Sequence, residues 1–309
     1  MTIAYASGKV ILFGEHAVVY GRPAIAVPVT QVQAQAEVED APQGQGITIV
    51  AEDLGRTYKL LQAPPDDALR AIIANTLSHM GLGPGVDLTV SIRSTIPLAR
   101  GLGSGAAVST AIVRALCKHY DKWMSSQAVS DLVYETEKIH HGTPSGIDNT
   151  VIAFEKPVYF VKGQRTEIFW VKRPFLLVIA DTGVSSPTKL AVGDVRQAWE
   201  EEPERYEGLF DRMGAIAKAG RRAIERGEME RMGRLMDENQ GLLRDIGVSS
   251  LELERLIEAA RQGGALGAKL SGAGRGGNMI ALVTDETCSA VNMMLRLAGA
   301  KNVIVTEVR

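Results

Sequence analysis

Cysteine is scarce in this chain of 309 residues: only Cys117 and Cys288 occur, and they lie far apart in segments of helical character. A disulfide or a cysteine-based metal site would need closer partners or more ligands. Both side chains are therefore predicted to be reduced and to pack as small apolar groups, as in a cytoplasmic protein. The first residues lack the pattern of a signal peptide, and no run reaches the roughly 18 uncharged apolar residues of a membrane span, so no membrane partner is expected.

Excess charge is also lacking, because 34 Lys and Arg residues nearly balance 36 Asp and Glu residues, for a formal net charge of −2. This balance argues against a dedicated nucleic-acid-binding protein, which needs a broad basic surface. Aromatic residues make up only 5 %, but a hydrophobic fraction of 45 % is enough for a globular core. A chain of this length is expected to form two domains. The sequence turns polar near residue 165, which predicts domains 1–165 and 166–309.

The pattern of apolar residues predicts an α+β or mixed-sheet architecture, because strands and helices do not alternate strictly. Period-two alternation and short apolar runs predict strands that include Lys9–Phe13, Ala24–Val29, Val32–Val38, Asp87–Ser94, Val151–Phe160 and Phe175–Ala180. Helical spacing predicts helices that include Ser126–His140, Glu200–Gly227, Glu228–Gly247 and Ser249–Gly263.

Glycine is abundant, with 32 residues that fall in clusters. The first cluster lies between a predicted strand and a predicted helix, in the segment Pro97-Leu98-Ala99-Arg100-Gly101-Leu102-Gly103-Ser104-Gly105-Ala106-Ala107. Glycine lets backbone N–H groups approach a ligand, and the helix directs the positive end of its dipole at the loop, so together they favour an anion such as phosphate. The segment is neither a Walker A loop nor a good GxGxxG dinucleotide fingerprint. A tight strand-to-helix turn is the alternative.

A second cluster places seven glycines between residues 263 and 277, and those from residue 272 onward lie between two predicted strands. A hairpin needs one or two glycines, so either another chain segment or a ligand is expected to come very close to this backbone. A ligand is the favoured interpretation of the two.

Glu137 continues an apolar stripe with Val129 and Val133 on a predicted helix, at a spacing of four residues. A buried carboxylate is costly unless it is paired or coordinates a cation. A buried salt bridge and a metal site are both open on spacing alone. Mg²⁺ would suit, because it takes one or two carboxylates together with substrate phosphates.

Two further segments concentrate polar groups. The segment Thr143–Asn149 (TPSGIDN) is typical of a turn in which Asp148 caps the next element of the chain. Lys9 begins a predicted apolar strand, and Glu15 and His16 come after Gly14 at its other end. Ordinary solvation of the strand ends is the simplest interpretation of these three side chains.

Three segments, in this order, resemble the superfamily of galactokinases, homoserine kinases, mevalonate kinases and phosphomevalonate kinases, the GHMP kinases. Ser7–Gly21 is similar to the first motif, Pro97–Ala107 to the nucleotide-phosphate loop, and Lys269–Gly277 to the third motif. The segment from Glu137 to Asn149 is the part most specific to mevalonate kinases. The resemblance spans residues 3 to about 283, and it implies a two-domain α+β fold with an N-terminal domain like that of ribosomal protein S5 and a ferredoxin-like C-terminal domain.

The resemblance also implies roles for single residues. Asp148 matches the catalytic base, Lys9 the lysine that contacts this aspartate and the reacting hydroxyl, and Glu137 the Mg²⁺-binding glutamate. The residues from Pro97 to Ala107 would wrap the ATP phosphates, and the third-motif glycines would pack against that site. The positions that would bind the small-molecule substrate mevalonate are Glu15, His16, Ser145 and Gly146. The implied activity is ATP-dependent phosphorylation of the 5-hydroxyl of mevalonate by a cytoplasmic homodimer.

The chain departs from the family at two positions. Gly105 stands where members usually carry a second serine that binds Mg²⁺, so Glu137, the ATP phosphates and water would have to hold the metal. Arg275 stands where glycine is typical. Its guanidinium can meet phosphate, but solvent or a neighbouring acid is the favoured partner.

Several other functions stay open at this point. They are a sibling kinase acting on phosphomevalonate or another small hydroxy acid, an ATP-dependent decarboxylase of the same superfamily, and a non-catalytic sensor built on the fold. His16, Glu137 and the Thr143–Asn149 segment favour the mevalonate kinase pattern over the decarboxylase. The retention of Lys9, Glu137 and Asp148 argues against a sensor, since a sensor need not keep the reacting groups.

Overall fold

A computed structural model describes residues 1–83, 85–97, 100–141, 144–186 and 188–309, the side chains of His140 and His141 excepted. Its strands are β1 (Thr2–Phe13), β2 (Ala24–Asp40), β3 (Ile47–Ala51), β4 (Arg56–Lys59), β5 (Leu88–Ser94), β6 (Val158–Phe160), β7 (Glu167–Ile168), β8 (Phe175–Asp181), β9 (Gly267–Ser271), β10 (Asn278–Val283) and β11 (Asn302–Val308). Its α-helices are α1 (Ala68–His79), α2 (Ser104–His119), α3 (Ser126–His141), α4 (Ile147–Phe154), α5 (Thr188–Glu201), α6 (Pro203–Arg226), α7 (Met229–Asp245), α8 (Leu251–Gln262) and α9 (Asp285–Leu297).

The chain divides into two compact units. The first unit contains Met1–Gly8, Val32–Pro97 and Gly103–Glu155, and the second contains Lys9–Gln31, Leu98–Leu102 and Lys156–Arg309. The predicted division at residue 165 stays a prediction, because a division by contacts and a division along the chain need not coincide. Among the described residues, no helix is both long and apolar enough to cross a membrane.

The first unit combines sheet and helices. Its strands pair in the order β4-β3-β5-β2, with β3 parallel to β5 and the other neighbours antiparallel. Buried and partly exposed residues alternate through most of β5, as the period-two pattern predicts. Helices α1, α2, α3 and α4 pack against one another. This packing fixes the starts of α2 and α4, where the predicted site residues lie.

The second unit carries a four-stranded antiparallel sheet in the order β11-β8-β10-β9. A strand, a group of helices, two strands joined directly, a helix and a last strand succeed one another along the chain. This is the split βαβ arrangement of the ferredoxin-like fold, so the predicted α+β class is confirmed. Helices α7 and α8 pack on β9 and α9 packs on β8, which buries every residue of β9 and β10.

The structure corrects the predicted strand Val151–Phe160. Residues 147–154 form helix α4, and only Val158–Phe160 is a strand. A short apolar run cannot be assigned to helix or strand by periodicity alone. A tertiary contact supports the helix, because the side-chain amide of Asn149 donates to the backbone oxygen of Ser130 on α3 at 3.0 Å.

Two further predictions also need adjustment. The strands predicted at Ala24–Val29 and Val32–Val38 are one continuous strand, β2. Helix α5 has no counterpart among the predicted elements, and its buried residues are Ala191 and Val195. The predicted helices Glu200–Gly227, Glu228–Gly247 and Ser249–Gly263 correspond to α6, α7 and α8, with small shifts of their ends.

Candidate active site

The predicted phosphate loop leads into the start of helix α2. Gly101 and Gly103 both adopt left-handed backbone conformations, with φ of 80° and 74°, which glycine allows without strain. Gly103 is the N-cap and has no side chain to accept from the first amides of the helix. Those amides and the positive end of the helix dipole suit an anion. Leu98 and Ala99 lie outside the described residues.

The remaining predicted residues of the loop differ in exposure. Gly105 is exposed, Pro97, Arg100, Gly101, Gly103 and Ser104 are half-buried, and Leu102, Ala106 and Ala107 are buried. The two alanines and Leu102 therefore anchor the segment, and the others border solvent.

Glu137 lies directly over the second residue of α2. A Cβ atom built on Gly105 would be 2.9 Å from Glu137 Oε1, closer than real Cβ contacts come. Glu137 is only 7 % exposed and continues a buried stripe with Val129 and Val133 on α3, as its spacing predicts. The missing side chain at 105 therefore leaves room for a carboxylate at a helix N-terminus.

This arrangement of Glu137 and Gly105 fits a hard cation bound beside phosphate, since a carboxylate oxygen and phosphate oxygens are the ligands Mg²⁺ takes in nucleotide sites. Within the described part of the chain, no group of three His, Cys, Asp or Glu side chains is placed to hold a metal ion.

Asp148 lies in the first turn of α4 and is half-buried. The N-cap is Gly146, with φ of 89°, and Ser145 Oγ accepts from the backbone N–H of Ile147 at 3.4 Å. Thr150 Oγ1 donates to the oxygen of Gly146 at 2.6 Å. These bonds hold the turn that presents Asp148, while Gly142 and Thr143 of the same predicted segment lie outside the described residues.

In the second unit, Lys9, Glu15 and His16 are 3 %, 1 % and 6 % exposed. Simple solvation of strand ends is therefore wrong for all three. Lys9 lies in strand β1, and Gly14 creates the turn between this strand and Glu15: its φ is 93°, and a Cβ there would lie 2.6 Å from the Cα atom of Ala24. Only glycine fits this approach of two backbones. The backbone N–H of Lys9 donates to the oxygen of Leu102 at 3.0 Å, which ties β1 to the end of the glycine loop.

Burial sets the protonation of the groups after Gly14. It raises the pKa of Glu15, against the opposing effect of the ion pair with Lys269, and it lowers the pKa of Lys269. Burial also lowers the pKa of His16 to about 4, although its ring Nε2 donates a hydrogen bond to the backbone oxygen of Ala273 at 3.0 Å. His16 is therefore neutral at physiological pH and can take part in hydrogen bonds without charge.

Because His16 is neutral in the folded protein, the stability of the protein is expected to depend on pH. With a folded pKa of about 4 and an unfolded value near 6.5, the unfolded chain takes up the proton first as pH falls. The contribution of His16 to the free energy of unfolding should therefore be present above pH 6.5. At pH 5, protonation of His16 in the unfolded chain should lower the free energy of unfolding by about 2 kcal/mol.

Urea unfolding at pH 7.5 and pH 5 tests this expectation, with His16→Asn as the variant. Asparagine does not titrate and tolerates the φ of 58° at this position. The variant should lose less stability than the wild type between the two pH values. An equal loss in both proteins would contradict a neutral, buried His16.

The glycines after β9 allow other chain segments to approach. A Cβ on Gly274 would overlap the oxygen of Val248, and one on Gly276 would be 2.8 Å from the oxygen of Val184. A Cβ on Gly101 would lie 3.6 Å from the oxygen of Ser271, so this loop also backs the phosphate loop. Packing therefore accounts for Gly274 and Gly276, and the expectation that a ligand also approaches this backbone stays a prediction.

Arg275 pairs with a neighbouring acid, as predicted. Its guanidinium donates to Asp194 on α5, and its backbone N–H donates to the oxygen of Val248 at 2.7 Å. The residue adopts a φ of 58°, which costs little in glycine but strains an arginine.

The role of Lys269 is not apparent from the sequence motifs. It stands there as the first residue of a glycine motif, yet its side chain is fully buried and pairs with Glu15. The sequence does contain one sign of this role, a lysine inside an otherwise apolar strand, because lysine is almost never fully buried unless it is paired.

Two family models match parts of this chain. The family model for the GHMP kinases N terminal domain matches residues 67–156, and the model for the GHMP kinases C terminal matches residues 221–290. The mevalonate kinase of Pyrococcus furiosus is 36 % identical, with 99 % of this chain and 96 % of that protein covered. The chain belongs to the GHMP kinases.

Other relatives extend this result. The mevalonate kinase of Pyrococcus abyssi is 35 % identical over 98 % of this GHMP kinase and 95 % of its own length. The crystal structure of L. major mevalonate kinase in complex with R-mevalonate superposes with a TM-score of 0.84, at 28 % identity, and covers 100 % of this chain and 96 % of that chain. The predicted kinase fold and phosphotransferase class, with ATP as the phosphoryl donor of the family, are therefore confirmed.

Proposed function

We propose that this GHMP kinase transfers the terminal phosphoryl group of ATP to the 5-hydroxyl of (R)-mevalonate, giving 5-phosphomevalonate and ADP. The observation that carries the proposal is similarity to mevalonate kinases over nearly the whole chain, at 36 % identity for the relative from P. furiosus. The crystal structure of L. major mevalonate kinase, which has the same fold, is a complex with R-mevalonate.

The start of α2 is proposed to bind the phosphates of ATP. The glycines at 101 and 103 have positive φ, and Gly103 offers no capping side chain to the first amides of the helix. In phosphoryl transfer the protein mainly positions groups and neutralises charge, which backbone amides do without moving.

Glu137 is proposed to hold Mg²⁺ together with the phosphates. When bound, the cation neutralises phosphate charge and links the nucleotide to the protein. Glu137 suits this role because its Oε1 atom stands beside Gly105, at the same helix start that is proposed to receive the phosphates.

Asp148 is proposed to accept the proton of the substrate hydroxyl, and Lys9 to stabilise negative charge near the transferred group. Asp148 is held by the turn from Ser145 to Thr150, and Lys9 is buried in β1. Glu15, His16, Ser145 and Gly146 are proposed to contact the substrate. A cytoplasmic homodimer with domains 1–165 and 166–309 completes the proposal and rests on the family resemblance.

A coupled assay of ADP release tests the proposed substrate. Mevalonate, phosphomevalonate, diphosphomevalonate and homoserine are offered separately, and CO₂ is measured in parallel. We expect ADP release with mevalonate and no CO₂. Turnover confined to a phosphorylated substrate or to homoserine would identify a sibling kinase, and CO₂ release would identify a decarboxylase; either result rejects the proposal.

A further inference from the structure

A buried ion pair joins strand β9 to the segment after β1. Lys269 Nζ donates to Glu15 Oε1 and, at 2.6 Å, to the backbone oxygen of Leu270. Both side chains are completely buried. Removing two charges from water costs about as much as their attraction returns, so such a pair is weak evidence for a role in stability.

The second carboxylate oxygen of Glu15 points to a further partner. Glu15 Oε2 is buried, and no other residue among those described donates a hydrogen bond to it. A buried acceptor without a donor carries its full desolvation cost, and such atoms in folded proteins usually receive a water or ligand hydroxyl. The Glu15 carboxylate therefore has one oxygen, Oε1, that is held by Lys269, and a second oxygen, Oε2, that can still accept a hydrogen bond.

Strand β9 holds this part of β1 and its extension at two points. Because side chains alternate along a strand, Lys269 and Ser271 share a face. Ser271 Oγ accepts from the backbone N–H of Ile11 and donates to the Ile11 oxygen, both at 3.0 Å. Lys269 binds Glu15 four residues further along the chain. The strand thus fixes the segment that carries both Lys9 and Glu15.

The position of β9 is itself fixed from its outer edge. Gln240 on α7 is fully buried, and its Oε1 atom accepts from the backbone N–H of Leu270 at 2.9 Å. The same amide group donates to Glu254 on α8 at 2.8 Å. Two helices therefore hold the strand between Lys269 and Ser271, which leaves the lysine little freedom to leave Glu15.

We propose that Lys269 is a positioning residue that keeps Glu15 ionised and oriented, so that Glu15 Oε2 accepts a hydrogen bond from a hydroxyl group of the substrate. The identity of that substrate as mevalonate rests on the proposed function. The pairing of Lys269 with Glu15 and the acceptor oxygen Glu15 Oε2 are independent of the proposed function.

The charges around Glu15 make this role measurable. Burial raises the pKa of Glu15, and Lys269 opposes that effect more strongly than Lys9, the other cation that acts on it. Without Lys269 the carboxyl should hold its proton to higher pH. A protonated Glu15 loses its charge and its second acceptor, so substrate binding should weaken as pH falls.

The experiment compares Lys269→Met with Arg261→Met. Arg261 on α8 also forms an ion pair next to β9, with Asp237, whose Oδ1 atom accepts from the backbone N–H of Ala268 at 3.1 Å. Steady-state kinetics with mevalonate and ATP, from pH 6 to pH 9, and calorimetric binding of mevalonate are measured for both variants and for the wild type.

We expect Lys269→Met to lower kcat/KM for mevalonate on the order of 100-fold and to leave the KM for ATP within about twofold. The midpoint of the low-pH decline in mevalonate binding should rise by at least about one pH unit. Arg261→Met should keep the wild-type midpoint. Equal behaviour of the two variants would overturn the proposal.

The double variant Glu15→Gln/Lys269→Met keeps the test decisive if Lys269→Met fails to fold. It removes both charges, so no lone buried charge remains. We expect it to fold, to bind mevalonate weakly, and to lose the low-pH decline; wild-type affinity in this variant would overturn the proposal. If the wild type neither binds nor turns over mevalonate, the proposed function fails instead, and this outcome is separate from any difference between the variants.

Discussion

Replacing Asp148 by asparagine is expected to lower kcat by about 10²- to 10⁴-fold, the range that a positioned general base contributes. Asparagine has the same shape but cannot take up the proton of the attacking hydroxyl. The turn that carries residue 148 is held by neighbours: Ser145, Asn149 and Thr150 each make hydrogen bonds that the substitution leaves in place. The loss should therefore appear in chemistry and not in folding.

Affinity for ATP should stay nearly unchanged in Asp148→Asn, because the proposed phosphate site is at the start of α2 and Asp148 is in α4. The variant should lose only about 0.5 kcal/mol of stability, since an acidic residue in the first turn interacts favourably with the helix dipole.

Asp285→Asn is the matched control, because Asp285 is also an acid in the first turn of a helix, α9. It should show the same small loss of stability with unchanged kcat. Rapid-quench turnover and fluorescence titration with ATP measure the two quantities. A kcat for Asp148→Asn within about threefold of the wild type would exclude a role as general base.

The glycine and acid positions of the candidate site could be predicted from the sequence because each depends on local rules. Glycines at 101 and 103 adopt the positive φ that such clusters permit, and Glu137 lies on the buried side of α3 because helical spacing places it there. These features need only the chain near them, so one sequence is sufficient to expect them.

The partners of Lys269 and Arg275 could not be predicted in the same way, because they are remote in sequence. Lys269 meets Glu15 across 254 residues, and Arg275 meets Asp194 across 81. Helix α4 also makes a tertiary hydrogen bond, from Asn149 to Ser130, and it forms despite the strand-like composition of its apolar run. Periodicity describes which face is buried but not which side chain lies opposite that face.

Glu137→Gln is expected to weaken Mg²⁺ binding at least about 100-fold, because loss of even an indirect support of a metal ligand costs 10- to 100-fold. The substitution keeps the size of the side chain and removes its charge. Titration of activity with Mg²⁺ at saturating ATP, and binding of Mn²⁺ measured by electron paramagnetic resonance, report the change. Binding of the metal at the wild-type level would show that Glu137 is not a metal ligand.

Gly105→Ala tests the same site from the opposite side. The added Cβ would stand 2.9 Å from Glu137 Oε1, so the carboxylate has to move by a few tenths of an ångström. Alanine also favours a helix over glycine by about 1 kcal/mol. The variant should therefore be at least as stable as the wild type and yet require about tenfold more Mg²⁺, because the displaced ligand binds less well.

Gly208→Ala in α6 separates these two effects, because a Cβ there meets no atom within 4 Å. It should gain the same helix stability and keep the wild-type Mg²⁺ requirement. If Gly105→Ala matched Gly208→Ala in both measurements, the carboxylate over Gly105 would not be the metal ligand. If only the Mg²⁺ requirement differs, the absence of a side chain at 105 is what lets Glu137 reach the phosphate site.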